Sequence, residues 1–214
     1  IRLLFKEKGI SVVHVVANKK YALKAQQSGV DALVAEGFEA GGHNGREETT
    51  TLCLVPAIRD VVSVPLIAAG GISGGRAMLA AIALGADGVQ VGSLFAASVE
   101  SSAHPNFKNA IVNAGEGDTK LSMKALIPVL LLKNEFFRQV EKAESECASR
   151  QELLNLLGKG RAKRGMFEGD LEQGELEIGQ VAAEINSIRP AADILNEIWK
   201  EFIHEKERIS KLSF

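Results

Sequence analysis

The 214-residue sequence has little of several residue types that mark particular classes of protein. It contains two cysteines, Cys53 and Cys147, whose unrelated contexts give neither a disulfide framework nor a metal-ligand spacing. Its formal net charge of −2 gives no sign of the clustered positive field that nucleic acid requires. Its longest apolar run, residues 125–132, is far too short to span a bilayer. We therefore expect a protein of the reducing cytoplasm that has no nucleic acid, membrane or metal as a partner.

Apolar runs of strand length alternate with helical segments through the first 112 residues. Because the runs are continuously apolar, we expect strands that are buried on both faces of a parallel sheet. Such units make up half of a doubly wound sheet or half of a barrel, and in both folds ligands bind at the C-terminal ends of the strands. Pro56 must lie in the first turn of its helix or kink it. The predicted strands are residues 11–17, 30–37, 64–71 and 86–93, and the predicted helices are 19–28, 50–61 and 74–84.

The strand pattern ends after about residue 112, which predicts a different organisation for the rest of the chain. Residues 118–157 are predicted to be helical, a glycine-rich basic stretch follows, and a final helix over roughly 180–210 is broken by Pro190. The predicted divisions are a βα region (1–112), a helical insert or cap (113–179) and a returning C-terminal helix (180–214). Residues 1–9 have the pattern of a helix ended by a glycine, which indicates that the sequence begins inside a longer protein.

Candidate chemistry follows the predicted strands. The second strand ends at Glu36 and leads into a glycine-rich loop that contains Gly41, Gly42 and His43. Glycines let backbone N–H groups approach a planar or anionic ligand, and the histidine is a candidate acid or base. An ordinary glycine-rich turn with an exposed histidine explains this segment equally well. The third strand ends at Gly70-Gly71 before a helix from about Gly74, and the fourth ends at Gly92-Ser93; both patterns suit phosphate.

Other polar residues have more ordinary interpretations. We expect His14 to be buried in its apolar strand, His104 to mark a helix start and His204 to lie on the surface. The basic residues 161–164 are predicted to form a solvated loop rather than a phosphate contact. Gly179-Gln180 has the position to reach the glycine-rich loop from the returning helix.

The sequence resembles the nitronate monooxygenase / enoyl-ACP reductase II family. The resemblance rests on residues 35–43 (AEGFEAGGH), 67–72 (IAAGGI) and 88–95 (GVQVGSLF), with support from 100–105 and 177–180. It implies a TIM (β/α)8 barrel of which this chain carries strands five to eight, with a helical insert and a C-terminal helix. The matching first half of the barrel, which supplies part of the flavin site in that family, would precede this sequence.

The resemblance also implies roles for individual residues. Gly70, Gly71, Gly92 and Ser93 would hold the phosphate of FMN, with Ser93 standing where the family usually has threonine. The residues implied to line the flavin are Glu36, Gly41, Gly42 and Gln90, and His43 would face the substrate as the catalytic residue.

Two activities and a third, non-enzymatic interpretation follow from this resemblance. We favour a reductase that uses FMN and NAD(P)H on 2-enoyl thioesters of an acyl carrier protein in fatty acid synthesis, because Ala35-Glu36-Gly37 and Glu48-Thr49-Thr50 look reductase-like. The alternative is a nitronate monooxygenase that oxidises small alkyl nitronates with O2. The third interpretation is a truncated, non-catalytic half-barrel that folds by pairing with a partner. The oligomeric state stays open, with a homodimer as one option.

Overall fold

A computed structural model describes residue 5 and residues 7–213 of the chain. In chain order its elements are β1 (Val13–Val16), α1 (Lys19–Gln27), β2 (Ala32–Glu36), β3 (Gly42–His43), α2 (Thr51–Arg59), β4 (Leu66–Ala69), α3 (Gly75–Ala83), β5 (Gly88–Gln90), α4 (Ser93–Ala96), α5 (Pro105–Val112), β6 (Thr119–Ser122), β7 (Val129–Leu132), α6 (Glu135–Ser145), α7 (Arg150–Leu157), a π-helical turn (Lys163–Phe167), a 3-10 helix (Gln180–Glu184) and α8 (Ala191–Ser210).

Internal contacts divide the described residues into two compact units. The first, here called the parallel-sheet unit, takes the described residues of Ile1–Phe38, Glu47–Val91 and Glu197–Phe214. The second, here called the antiparallel-sheet unit, takes Glu39–Arg46 and Gly92–Asn196. These divisions fall elsewhere than at the predicted boundaries after residues 112 and 179, because the segment with His43 pairs with a strand that follows residue 112.

The parallel-sheet unit is built on four parallel strands in the order β1-β2-β4-β5, as the apolar runs predict. Leu33 in β2 and Leu66 in β4 are fully buried, and Val55 and Ile58 of α2 pack into the same core. Burying each of these side chains contributes roughly 1.5–3 kcal/mol. The α/β class with a parallel sheet is therefore confirmed.

The first strand departs from the expected burial. β1 lies at the edge of the four-stranded sheet, and Val13 and Val15 are 52% and 46% exposed. His14 lies between them and is also exposed, so the prediction of a buried core histidine was wrong for this strand. An apolar run indicates that a strand can be buried, but it does not say which strand occupies the edge of a sheet.

Local sequence sets the ends of the helices in this unit. The Asn18 side chain caps α1 by accepting the N–H of Tyr21 at 2.9 Å, and Gly29 follows the helix with a φ of 71°. Pro56 lies inside α2, so the predicted position in the first turn of this helix was wrong. The carbonyl left without its usual donor belongs to Leu52, which is 66% exposed, so the helix tolerates the proline.

The antiparallel-sheet unit contains strands that the sequence did not predict. β6 and β7 lie within residues 118–157, which were expected to be helical, and they form a three-stranded antiparallel sheet in the order β3-β7-β6. All four residues of β7 are buried, so its sequence has no alternation to mark a strand. A short apolar run of this kind is equally compatible with a buried helix, which is why the pattern misled.

Helices α6 and α7 cover this second sheet. Phe136, Phe137 and Val140 of α6 share a core cluster with Leu131 of β7 and Leu153 of α7. The Asn134 side chain caps α6, and Ser149 begins α7 with a reciprocal capping box to Glu152. The expectation of helices in this region was therefore correct for the two segments that carry caps.

The end of the chain differs from one continuous predicted helix. Residues 180–184 form a 3-10 helix, and α8 begins after Pro190, in agreement with the predicted break. The helix predicted for residues 1–8 lies largely outside the described residues, and Gly9, with a φ of 68°, follows it. Among the residues that the structure describes, no helix is long and apolar enough to cross a membrane.

Candidate functional site

The C-terminal edge of the parallel sheet brings predicted flavin residues into one row. Glu36 pairs with Ala69, and Ala69 pairs with Gln90, so the last residues of β2, β4 and β5 lie side by side. Directly opposite residues of neighbouring strands share a face, which places Glu36 and Gln90 on the same side of the sheet. Glu36 is half-buried, and this burial raises the pKa of its carboxyl group above the ordinary value.

The turn after β4 has a backbone that favours glycine. Gly70 and Gly71 have φ angles of 89° and 72°, in the left-handed region that L side chains rarely adopt. The hydroxyl of Thr51, the first residue of α2, donates to the carbonyls of Ala69 and Gly70 at 3.2 and 2.9 Å. Thr51 therefore fixes the start of this turn, a role that the sequence did not reveal because the residue reads as part of a helix.

The helix that follows the turn is already occupied at its N-terminus by a carboxylate of the chain itself. The N–H of Gly75 donates to Glu201 of α8 at 2.5 Å, and Arg76 binds the other oxygen of the same carboxylate at 2.9 Å. A carboxylate at this position stabilises the helix in the way that a phosphate would. The prediction that the N-terminus of this helix binds phosphate is therefore corrected. The double-glycine turn is the part of that predicted site that is kept.

In the antiparallel-sheet unit, His43 lies on a strand rather than in a loop. Gly42 and His43 pair with Leu130 and Val129 of β7, and the N–H of Asn44 donates to the carbonyl of Pro128 at 2.8 Å. The side chain of Asn44 also donates to the carbonyl of Ala40 at 2.8 Å. The backbone around the exposed His43 is therefore held from both directions.

The two glycines before His43 make room for another part of the chain. A Cβ on Gly41 would overlap the backbone of Ile178 and Gly179, and a Cβ on Gly42 would lie 2.6 Å from Oε2 of Glu177. Gly42 also has a φ of 80°. Gly41 is needed for the close passage of the backbone at residues 178–179, and Gly42 is favoured by its positive φ. The contact of both glycines with a flavin stays a prediction.

Gly92 and Ser93 also belong to this second unit. The Ser93 hydroxyl oxygen accepts the N–H of Gly179 at 3.2 Å, and the N–H of Gln180 donates to the carbonyl of Glu39 at 3.0 Å. The structure thus brings the Gly179-Gln180 segment against the glycine-rich segment, as its position suggested. Ser93 keeps its own O–H as a donor, so a role at a phosphate remains a prediction.

A cavity of about 270 Å³ opens beside His43 within the antiparallel-sheet unit. The apolar part of its lining consists of Met123, Leu126, Ile127, Val129, Leu154 and Leu157. The polar part of its lining consists of His43, Glu175, Glu177, Arg150 and Arg161. A mostly apolar cavity with a few polar groups is the usual form of a small-molecule site.

Two acids give the polar part of the cavity lining its electrostatic character. Burial, together with the neighbouring Glu177, raises the pKa of Glu175 to about 7, while Arg161 opposes the change. Burial likewise raises the pKa of Glu177, whereas His43 lowers it. Near neutral pH Glu175 can therefore hold a proton that an exposed glutamate would have lost.

Arg161 has a structural role that corrects the prediction of a solvated basic loop. Its guanidinium donates to the carbonyls of Leu156, Leu157 and Gln173, and it lies 4.3 Å from the centre of the Phe136 ring. Burial is the largest cause of the lowered pKa of this side chain. Its neighbours do follow the prediction, because Lys163 and Arg164 are exposed and pair with Glu168 and Asp170.

The remaining histidines and the acids complete the comparison with the predictions. His104 caps α5 by accepting the N–H of Asn106 at 3.1 Å, and His204 is exposed, both as expected. Glu175 and Glu177 were not singled out from the sequence, although they alternate with the buried Leu176 and Ile178. That alternation was the available signal for an extended segment. Within the described part of the chain, no group of three acid, histidine or cysteine side chains could hold a metal ion.

The fold and these residues define a class of protein: a parallel α/β sheet with glycine turns at its C-terminal edge, together with a histidine beside an apolar cavity. The nitronate monooxygenase family model matches residues 4–201, and the chain belongs to this family. The family consists of oxidoreductases that generally use FMN.

The similar proteins are named nitronate monooxygenase, FabK and nitroalkane oxidase. A probable nitronate monooxygenase of Staphylococcus aureus (strain JH9) is 36% identical over 203 residues, which cover 90% of this chain and 56% of that protein. FabK from Thermotoga maritima is 42% identical with a TM-score of 0.90, over 96% of this chain and 65% of that one. A nitroalkane oxidase from Streptomyces ansochromogenes is 27% identical with a TM-score of 0.78, over 95% and 60%. The chain thus spans little more than half the length of the curated relatives it matches.

Proposed function

We propose that the protein is an FMN-dependent enoyl-thioester reductase. The observation that carries this proposal is the position of His43 in the lining of a cavity that also presents six large aliphatic side chains. An acyl chain beyond the reacting carbons fits against such side chains, whereas a small nitronate would leave most of them uncovered. The 42% identity with FabK over 96% of the chain supports the same activity.

The residues at the edge of the parallel sheet are suited to FMN. The left-handed turn at Gly70 and Gly71 exposes backbone without a Cβ, as a phosphate site requires, and Glu36 and Gln90 lie in one row beside it. We propose that these four residues bind the cofactor, with Gly92 and Ser93 assigned to it by family resemblance. FMN bound there and reduced by NAD(P)H would supply the hydride for the β-carbon of an enoyl group.

In this proposal the cavity residues position the substrate and supply the proton. The aliphatic side chains exclude water from the acyl chain, and His43 holds the thioester carbonyl or delivers a proton from its imidazole nitrogen to the α-carbon. A neutral thioester is compatible with the carboxyl groups of Glu175 and Glu177. An anionic nitronate would be repelled by either carboxyl group in its ionised form.

Nitronate monooxygenase activity is the second candidate, and the names of the curated relatives favour it. In that reaction His43 would take a proton from the nitroalkane carbon or anchor the nitro group. The cytoplasmic location, the NAD(P)H co-substrate and an acyl-carrier-protein partner remain predictions from the sequence.

Anaerobic reduction of the flavin in the protein that carries this chain separates the two activities. We expect rapid bleaching by NADH or NADPH, followed by reoxidation with crotonyl and longer enoyl thioesters. Absence of bleaching by both nucleotides, together with O2-dependent turnover of propyl nitronate, would replace the reductase with the monooxygenase. A protein that bound no flavin would contradict both candidates.

A further inference from the structure

The pairing of β7 places a carboxylate beside His43. Val129 pairs with His43, and Leu131 forms a bridge with Glu177 along the same edge of β7. Val129 and Leu131 are two residues apart and so share a face, as do directly opposite residues of antiparallel strands. His43 and Glu177 therefore lie next to each other on one face, and both line the cavity.

The backbone holds Glu177 in this place. The N–H of Leu132 donates to the carbonyl of Leu176 at 2.9 Å, which ties the segment to β7. Oε2 of Glu177 lies 2.6 Å from the position that a Cβ would take on Gly42, the residue before His43. The carboxylate thus occupies the space that the missing side chain leaves, close to the backbone of the histidine.

We infer that Glu177 is a positioning residue that orients the imidazole of His43 from the same face of the sheet. A base that is held by a third group is a common arrangement where a histidine moves a proton. The inference rests on the proposed function for its catalytic meaning, but the shared face and the shared cavity do not. A residue that served only for packing here would be apolar, like the adjacent Leu176 and Ile178.

The other charged groups around His43 have different partners or positions. Glu175 shares the face of Glu177 from two residues earlier, and Arg161 is bound to backbone carbonyls. Arg150 is the first residue of α7 and also lines the cavity, and Arg46 donates to the carbonyls of Lys124 and Leu126. Glu177 is therefore the acid that follows His43 directly along the edge of β7.

Electrostatics agree with the geometry. Burial raises the pKa of the Glu177 carboxyl group, and His43 is the group that pulls it back down.

The first test compares the NMR signals of the His43 imidazole in the full protein with those in Glu177→Gln. The signal is assigned by its loss in His43→Gln, and neither substrate nor turnover is needed. The comparison is made at a single pH, and we expect the ring signals of His43 to move and broaden in Glu177→Gln, because the imidazole loses the group that fixes its orientation. Glu172→Gln, the same change at an exposed residue of the same segment, should leave these signals unchanged.

The reciprocal titration keeps the inference testable if Glu177→Gln does not fold. His43 is exposed, so His43→Gln should fold, and the Glu177 carboxyl group should then titrate at a higher pH than in the parent. Unchanged His43 signals in Glu177→Gln, together with an unchanged Glu177 midpoint in His43→Gln, would overturn the inference. Changed His43 signals without enoyl-thioester turnover would leave the inference intact and remove the proposed function instead.

Discussion

The two units of this chain build their sheets from different kinds of pairing. In the parallel-sheet unit each strand follows the previous one after a helix, and glycines follow the ends of β2, β4 and β5 in the sequence. In the antiparallel-sheet unit the two-residue strand β3 pairs with β7, which follows far along the chain. The cofactor residues of the first unit lie within short sequence motifs, whereas the neighbours of His43 come from long-range pairing. Local sequence patterns therefore predict one half of the proposed chemistry better than the other.

The largest effect should come from the core of the antiparallel-sheet unit. Phe136→Ala should lower the free energy of unfolding by about 3–5 kcal/mol, because the ring is completely buried and the Arg161 guanidinium lies against it. Urea unfolding followed by circular dichroism measures the loss. Ile58→Ala in the parallel-sheet unit is the matched change and should cost about 2–5 kcal/mol. A cost for Phe136→Ala well below that range would contradict the core described for this unit.

The catalytic role of the same unit is tested by His43→Gln. The variant should retain flavin but lose about 10²–10⁴-fold in turnover, since a positioned acid or base typically contributes that factor. Flavin absorbance and steady-state rates measure the two outcomes, and His204→Gln, at an exposed residue of α8, serves as the control. Unchanged turnover would remove His43 from the mechanism.

The sequence predicted the parallel-sheet unit in some detail for a physical reason. A buried parallel strand must be continuously apolar, and a turn with positive φ favours glycine, so both leave a mark at the residues themselves. Gly70 and Gly71 could be identified as a special turn for this reason. The edge position of β1 could not be predicted, because it depends on which strands surround it rather than on Val13, His14 or Val15.

The neighbours of His43 were missed because their signals are weak or ambiguous. The buried β7 has no alternation, so its apolar run was compatible with a helix. Glu175 and Glu177 become candidates only when β7 pairs with their segment on the face that already carries His43. Gly41 and Gly42 were singled out correctly as special positions, but the close passage of residues 177–179 could not be foreseen from their spacing.

The buried acid of the antiparallel-sheet unit should make stability depend on pH. Burial raises the pKa of Glu175 from 4.5 to about 7, so the folded protein binds this proton more tightly than the unfolded chain does. Its contribution is therefore fully present below 4.5 and is lost as the pH rises through about 7. Glu175→Gln should remove that loss and be more stable than the parent above neutral pH, by on the order of 3 kcal/mol.

Thermal or urea unfolding across this pH range measures the effect of Glu175→Gln. Glu172→Gln, the same substitution at an exposed site, should follow the pH profile of the parent. Parallel profiles for the parent and Glu175→Gln would mean that Glu175 is ionised in the folded protein. The polar part of the cavity lining would then carry more negative charge than we describe.

The smallest effect in this series concerns the parallel-sheet unit and its proposed cofactor turn. Gly70→Val places a β-branched side chain at a φ of 89°, which costs about 1–3 kcal/mol of backbone strain and covers backbone that a phosphate would approach. We expect flavin affinity to fall by about tenfold or more, as measured by flavin retained after dialysis. Gly88→Ala in β5, where a Cβ would meet open space, should retain the flavin. Normal flavin content in Gly70→Val would place the phosphate away from this turn. The parallel-sheet unit, whose sequence was easier to interpret, would then keep its predicted fold but lose its assigned function.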